Sequence, residues 1–221
     1  MAHDCWGTLP AMFFDRAARL GEKPFLWAKS EGRYRPKTWA AAARDVRRMA
    51  LGLRSLGIGP GDRVGLVAEN RPEWVIADLA IMSAGAITVP GYVTQTVEDH
   101  RHLLADSGAC AVIVSKAPPS ANVLAATKQV ERVRTMIEIE PVAERTGSVD
   151  IRSWEEVLAR GSHDAGDISR CIGAIEPEDT ACLIYTSGAG GVPKGVMTSH
   201  RNILANCRGL HKVLETLGLD D

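Results

Sequence analysis

The chain has 221 residues, of which 45% are hydrophobic and 24% charged, with a formal net charge of -1. This composition is typical of a globular protein and gives no electrostatic reason to expect nucleic acid as a partner. The five cysteines are scattered without a CxxC pair, so we expect neither a zinc cluster nor a disulfide scaffold. No apolar run reaches membrane-spanning length, and the N-terminus lacks a signal-peptide layout. We therefore expect a cytoplasmic protein.

The first quarter of the chain predicts two helices separated by a hairpin. An apolar stripe at helical spacing predicts the opening helix: Leu9, Met12, Phe13 and Leu20. Residues 24–29 and 33–35 predict the hairpin. Thr38 is predicted to N-cap a long helix that runs through Leu56 and ends at Gly57. Four arginines are interpreted as the solvated face of this helix: Arg44, Arg47, Arg48 and Arg54.

From Gly57 the pattern alternates between strand and helix. Strands are predicted over residues 63–68, 86–90, 110–115 and 135–139. Helices are predicted between them, the first opening at Pro72 and the second at a capping box of Thr96 and Asp99. A shorter helix is predicted after Ser153, with Glu156 three residues on. This alternation predicts an α/β fold with a doubly wound, mostly parallel sheet flanked by helices.

The last part of the chain predicts a second unit. Residues 161–167 are polar and predicted to be flexible, so we expect an N-terminal α/β subdomain over 1–175 and the start of a nucleotide-binding subdomain over 176–221. In this second unit a short strand is predicted over 195–198. A helix then opens at Ser199 or His200 and ends at Gly218. Its apolar face is formed by Leu204, Cys207, Leu210, Leu214 and Leu217.

A glycine-rich loop between these elements carries the clearest chemical signal. It follows an apolar strand predicted over residues 181–185, and three of its four central positions are glycine, which permits positive φ angles and close approach of a ligand. Successive backbone N–H groups in such a turn can converge on an anion. Hydroxyls before the glycines and an ammonium after them would complete a phosphate site, but on the residues alone a tight turn without chemistry is the more frequent alternative. The candidate ligands are Thr186, Ser187, Gly188, Ala189, Gly190, Gly191, Lys194 and Gly195.

The stretch TSGAGGVPKGV, followed by SHRN, resembles the phosphate-loop signature of the adenylate-forming (AMP-binding) enzymes. The segments AENRPEW and ITVPGY are similar to the long-chain fatty acid–CoA ligase branch of that superfamily. The resemblance covers essentially the whole chain and is clearest over residues 36–115 and 180–205. Ala189 and Gly190 depart from the pattern, because the family usually carries two hydroxyl residues there.

The resemblance implies an ATP-dependent acid–thiol ligase. A fatty acid carboxylate would attack the α-phosphate of ATP to give acyl-adenylate and pyrophosphate, and coenzyme A would then displace AMP. Thr186 and Ser187 would donate hydrogen bonds from their hydroxyls to the phosphates, and residues 188–191 would donate hydrogen bonds from their backbone N–H groups. Lys194 would supply a catalytic positive charge. Magnesium would serve the complete enzyme, and no metal ligand is assigned within this chain. The family's adenine-binding segment and catalytic C-terminal Lys would follow residue 221, so we expect an N-terminal fragment that is inactive alone.

Several alternatives are open from the sequence. The chain could be a non-catalytic binding domain that self-associates, for example as a homodimer. A lipid substrate also makes transient contact with a membrane surface plausible. His200 is a candidate for either a substrate contact or a structural role. His100 and His102 stand two apart on a predicted helix, so they do not face each other as a metal pair would.

Overall fold

The helices and strands alternate through most of the chain. The computed structural model describes residues 6–116, 119–140, 149–163, 167–187 and 191–218. Within these residues the helices are α1 (Leu9–Leu20), α2 (Trp39–Ser55), α3 (Pro72–Ser83), α4 (Val97–Ser107), α5 (Pro119–Thr127), α6 (Trp154–His163), α7 (Ile168–Gly173) and α8 (His200–Leu217). The strands are β1 (Pro24–Ser30), β2 (Arg33–Thr38), β3 (Arg63–Val67), β4 (Ile87–Pro90), β5 (Ala111–Val114), β6 (Thr135–Glu138), β7 (Asp150–Ser153), β8 (Thr180–Ser187) and β9 (Pro193–Ser199).

One sheet, with strand order β7-β6-β5-β3-β4-β8-β9, organises the described residues. Its neighbouring strands are parallel except for the antiparallel pair β8 and β9. Val64 and Leu66 of β3 enter a core with α2, α3 and α6, whereas Val67 enters a second core with α4 and α5. Because successive side chains of a strand point to opposite faces, helices cover both faces of the sheet. The predicted α/β fold with a doubly wound, mostly parallel sheet is confirmed.

Local signals for helix ends hold in the structure. Thr38 and Ser199 cap α2 and α8, each accepting a backbone N–H from the first turn of its helix. Thr96 and Asp99 form the predicted capping box of α4. Gly218 ends α8 in the left-handed conformation, at φ 66°. These predictions are confirmed. The caps could be predicted from the sequence because each of their hydrogen bonds joins residues within about one turn of each other.

The predicted hairpin is also confirmed. Strands β1 and β2 pair antiparallel, with Ser30 opposite Arg33. The two residues between them, Glu31 and Gly32, have φ angles of 53° and 79°. Two positive φ angles in a row match the twist of the flanking strands, which favours a two-residue connection.

Three elements are absent from the sequence prediction: α5, β7 and α7. They are short, and the edge strand β7 reads Asp-Ile-Arg-Ser without a run of apolar residues, so periodicity does not reveal it. The prediction of a flexible segment from residue 161 is wrong at its start, because Gly161 is buried inside α6. Residues 164–166 of that segment lie outside the described part of the chain.

Helices α2 and α6 touch backbone to backbone at two glycines. A Cβ on Gly161 would overlap the carbonyl oxygen of Arg48 and lie 2.8 Å from the nitrogen of Gly52. A Cβ on Gly52 would overlap the carbonyl oxygen of Val157. At the same contact Arg48 Nε donates to Ser162 Oγ at 2.5 Å. Arg48 is therefore not a purely solvated residue as predicted, and the two helices depend on both glycines.

The strands on both sides of the predicted boundary at residues 175 and 176 share the sheet. Strands β4 and β8 meet at a single register pair, Thr88 with Cys182. The division into two subdomains stays a prediction.

Helix α8 is buried only near its N-terminus. Leu204 is 3% exposed, whereas Leu210 and Leu217 are 61% and 63% exposed, and Cys207 is also exposed. The predicted apolar face therefore exists but faces outward over most of its length. Among the described residues, the helices are each too short or too polar to cross a lipid bilayer.

Candidate phosphate-binding site

The glycine-rich loop joins β8 and β9, which form an antiparallel hairpin at the end of the sheet. Across the hairpin Thr186 pairs with Lys194, and Ser187 pairs with Pro193. Gly191 has a φ of 79°, in the region that favours glycine. The candidate ligands Gly188, Ala189 and Gly190 lie outside the described residues.

Thr186 and Lys194 lie on the same face of this hairpin. Residues directly opposite each other in an antiparallel pair project to one side, with Cβ atoms about 5 Å apart. Both side chains are exposed. Within the described part of the chain, Lys194 Nζ makes no hydrogen bond or ion pair. A hydroxyl and an ammonium are therefore presented together to solvent beside the glycine-rich turn, an arrangement that can form charge-assisted hydrogen bonds to an anion.

The opposite face of the hairpin is anchored to α4. Tyr185 lies directly across from Gly195, where an added Cβ would lie 3.1 Å from Cζ of the tyrosine ring. Gly195 therefore leaves room for the ring to cross the neighbouring strand. The Tyr185 hydroxyl donates to Asp106 Oδ2 at 2.6 Å. Burial, followed by this hydrogen bond to a carboxylate, raises the pKa of Tyr185.

A histidine of α4 holds the other strand of the hairpin. His102 Nε2 lies 2.9 Å from the carbonyl oxygen of Pro193. Because a carbonyl only accepts, Nε2 carries the proton and donates. The His102 ring also meets Tyr185 edge-on, with ring centroids 6.0 Å apart. Sequence reasoning missed Asp106 and His102 as positioning residues, because they precede the loop by about eighty residues and no local pattern links them to it.

We expect the Tyr185→Phe substitution to lower the free energy of unfolding by about 1 kcal/mol, the net value of a hydrogen bond to a charged acceptor that is partly exposed. Urea unfolding measures this change. Tyr92→Phe is the matched control, because Tyr92 is 74% exposed. Equal stability of the two variants would mean that the bond to Asp106 does not hold the hairpin in place.

The surroundings of His200 favour a structural role over a contact with substrate. His200 is 2% exposed and stands at the start of α8. Its Nδ1 accepts the backbone N–H of Leu9 at 3.3 Å, which ties α8 to the first turn of α1. Nδ1 is therefore unprotonated, and burial lowers the pKa of His200 below its ordinary value of 6.5.

This contact makes stability depend on pH. The folded state resists protonation of His200, whereas the unfolded chain binds that proton below about pH 6.5. The stabilising contribution is therefore present above that pH and is lost as the pH falls below it. We expect the wild type to lose more unfolding free energy between about pH 7.5 and about pH 5.5 than His200→Gln, whose amide oxygen can accept the same N–H. Urea unfolding at both pH values measures the difference, and parallel losses in the two proteins would contradict it.

The two histidines of α4, His100 and His102, lie in different surroundings. His102 points to the hairpin, whereas His100 is fully buried and neither of its ring nitrogens has a hydrogen-bond partner in the described structure. Burial lowers the pKa of His100. Within the described residues there is no group of three or more His, Cys, Asp or Glu side chains that would hold a metal ion.

Residues 13–221 match the model of a protein family described as AMP-binding enzyme. Among curated proteins, the long-chain-fatty-acid–CoA ligase FadD15 of Mycobacterium tuberculosis is 34% identical over 187 residues, which cover 85% of this chain. The peroxisomal long chain acyl-CoA synthetase 7 of Arabidopsis thaliana is 28% identical over 215 residues, which cover 92% of this chain. The chain spans 30% of the length of each of these two relatives.

Solved structures agree on the architecture. A long-chain-fatty-acid-CoA ligase (FadD1) from Archaeoglobus fulgidus matches with a TM-score of 0.73 at 24% identity, over 92% of this chain and 38% of its own. A fatty acyl-adenylate ligase from L. pneumophila, in complex with acyl adenylate and pyrophosphate, matches with a TM-score of 0.70 at 23% identity, over 95% of this chain and 33% of its own. These likenesses concern the fold. Since the family model covers nearly the whole sequence, this chain belongs to the AMP-binding enzyme family.

Proposed function

We propose that this chain is the N-terminal portion of an ATP-dependent long-chain fatty acid–CoA ligase. Membership of the AMP-binding family supports the use of ATP. The names of the curated relatives support a long-chain fatty acid as the acid substrate and coenzyme A as the acceptor. The longer protein activates the fatty acid carboxylate as acyl-adenylate, with release of pyrophosphate, and the coenzyme A thiol then displaces AMP.

The observation that carries this proposal is the pairing of Thr186 with Lys194 across an exposed hairpin. Lys194 neutralises the negative charge that moves onto the β- and γ-phosphates as the α-phosphate is attacked. Thr186 and Ser187 donate hydroxyl hydrogen bonds, and the turn that includes Gly191 supplies backbone N–H groups. The residues present therefore fit a triphosphate.

Ala189 and Gly190 offer no hydroxyl to the phosphates. Each hydrogen bond lost from a side chain costs about 0.5–1.5 kcal/mol of binding free energy. Backbone N–H groups are independent of side-chain identity, so the loop keeps its main anion-binding groups. We infer weaker ATP binding than a loop with two hydroxyl residues would have, rather than loss of the site.

The rest of the machinery belongs to the longer protein. A phosphate loop alone supplies no site for adenine, ribose or coenzyme A, and the chain spans 30% of the length of FadD15. We therefore propose that this chain is inactive alone, and that magnesium acts in the complete enzyme, where it would neutralise phosphate charge. We also propose a cytoplasmic protein that contacts membrane surfaces transiently through its lipid substrate.

A second candidate is a non-catalytic domain that self-associates as a homodimer. The observation in its favour is an exposed apolar surface near the C-terminal end of the described chain. It comprises Ile184 and Val196, which pair across the hairpin, and Leu210, Val213 and Leu217 of α8, each at least 43% exposed. Surfaces of this kind mark sites of association. In this reading the chain dimerises without nucleotide turnover.

Exchange of pyrophosphate into ATP, driven by a long-chain fatty acid, tests the first proposal. The assay is run on this chain and on a version extended to the length of the curated relatives. We expect exchange only in the extended version. Absence of exchange in both, together with a stable dimer in analytical ultracentrifugation, would replace the ligase by the self-associating domain. Exchange by the short chain would contradict our view that it is inactive alone.

A further inference from the structure

A cavity of about 410 Å³ lies between α1, α3, α8 and the strands β4 and β8. Most of the side chains that line it are apolar, among them Met12, Phe13, Trp74, Leu79, Met82 and Ile203. This volume falls within the range of small-molecule sites, which combine apolar walls with a few polar groups. The cavity therefore has the size and walls of a ligand pocket.

Three polar side chains converge on this cavity. Asp78 of α3, Thr88 of β4 and Cys182 of β8 all line it, and Thr88 and Cys182 are paired in register. Thr88 is 1% exposed, and its hydroxyl lies close enough to Asp78 to offset part of the rise that burial causes in the pKa of that carboxyl. Its Oγ1 nevertheless makes no hydrogen bond of good geometry in the described structure. Within the same residues no cation pairs with the Asp78 carboxyl. A carboxylate in such surroundings costs free energy unless a cation pairs with it, and the Thr88 hydroxyl supplies one donor but no charge, so a cationic ligand would complete this end of the cavity.

We propose that the cavity binds a small amphiphile whose alkyl chain ends in a primary amine. An ammonium group carries three donors and no acceptor, which suits the Asp78 carboxylate together with the hydroxyl of Thr88. Its positive charge complements the carboxylate, with which no described cation pairs, and the alkyl chain fills the apolar part of the cavity. A fatty acid head group is disfavoured here, because two carboxylates at one site repel each other. The inference stands independently of the proposed ligase activity.

Of the titratable side chains that line the cavity, Asp78 is the one whose change of charge near neutral pH controls binding of the amine. Burial raises the pKa of Asp78 to about 6, so the carboxyl is mostly ionised at about pH 7.5. Burial, and then the charge of Asp78, raises the pKa of the Cys182 thiol, which stays neutral. Arg16 of α1 is exposed, and its guanidinium stacks over the Trp6 ring at 4.9 Å.

Titration of the chain with n-octylamine, n-octanol and octanoate tests this proposal. Calorimetry gives the affinities, and NMR of the Met12 and Met82 methyl groups reports whether binding occurs in the cavity. At about pH 7.5 we expect n-octylamine to bind about tenfold more tightly than n-octanol, and octanoate more weakly still. Asp78→Asn is expected to lose this preference of about tenfold while keeping its affinity for n-octanol. Glu155→Gln removes an exposed carboxylate of α6 and is expected to match the wild type.

A second measurement needs no substitution at the site. Protonation of Asp78 at about pH 5 removes the charge that holds the ammonium group, so the wild type should bind n-octylamine more weakly there than at about pH 7.5. Affinity for n-octanol should stay the same. The proposal is overturned if n-octylamine does not shift the Met12 and Met82 signals. It is also overturned if the three probes bind equally well, or if Asp78→Asn keeps the preference for the amine.

Discussion

The substitution Gly161→Ala is expected to lower the free energy of unfolding by about 3 kcal/mol, the upper part of the usual range for overpacking. The added methyl would overlap the carbonyl oxygen of Arg48 and lie 2.8 Å from the nitrogen of Gly52. Both contacts involve backbone atoms of α2, so no side chain can rotate away. The whole of α6 must shift, which also disturbs the hydrogen bond between Arg48 and Ser162.

The matched control for this experiment is Gly209→Ala. Gly209 also lies inside a helix, but a Cβ at that position meets nothing within 4 Å. Alanine is the better helix former, so this variant is expected to be more stable than the wild type by about 0.5–1 kcal/mol. Urea unfolding of the two variants should therefore give changes of opposite sign. If Gly161→Ala were as stable as the wild type, the backbone contact between α2 and α6 would not be required for folding.

The second large effect, on catalysis, is expected at the β8–β9 hairpin. In a chain extended to the length of its relatives, Lys194→Met should lower the rate of pyrophosphate exchange by about 10²–10³-fold, as removal of one stabilising group from a transition state typically does. The methionine side chain keeps most of the length of lysine but removes the charge. Thr186→Val, which removes the hydroxyl from the same face of the hairpin, should cost about tenfold.

Lys212→Met provides the control for loss of a positive charge. Lys212 is exposed on α8, away from the hairpin loop, and its replacement should leave the exchange rate unchanged. Equal rates for Lys194→Met and Lys212→Met would remove Lys194 from the phosphate site. A fall in rate caused by misfolding is recognised by urea unfolding of the same variants.

Parts of the fold that depend on near neighbours could be predicted from the sequence. The capping box of Thr96 and Asp99 is formed by residues three apart, and the hairpin turn at Glu31 and Gly32 depends on two adjacent φ angles. Strand and helix alternation follows from apolar periodicity. The short edge strand β7 was beyond such reasoning, because its four residues carry no period of their own and pair only with a strand already placed by the core.

The candidate phosphate site, too, could be predicted only in part from the sequence. The types and order of its residues, from Thr186 to Gly195, are visible in the sequence. By themselves they leave a tight turn and a phosphate site open, and the resemblance to the phosphate-loop signature favours the phosphate site. The support of the hairpin is not visible in the sequence, because Tyr185 bonds to Asp106, which precedes it by 79 residues, and His102 reaches Pro193 over 91 residues. These contacts depend on β8 lying beside β4 in the sheet, within reach of α4.

The sequence by itself determined the helix caps, the hairpin turn of β1 and β2, and the strand and helix alternation, since each depends on residues within a few positions of one another. The tertiary structure alone decided which distant groups meet. It brings Gly161 against α2, anchors the loop through Tyr185 and gathers Asp78, Thr88 and Cys182 around one cavity. The physical reason is that the order of strands in the sheet sets these encounters, and that order depends on the packing of the whole core.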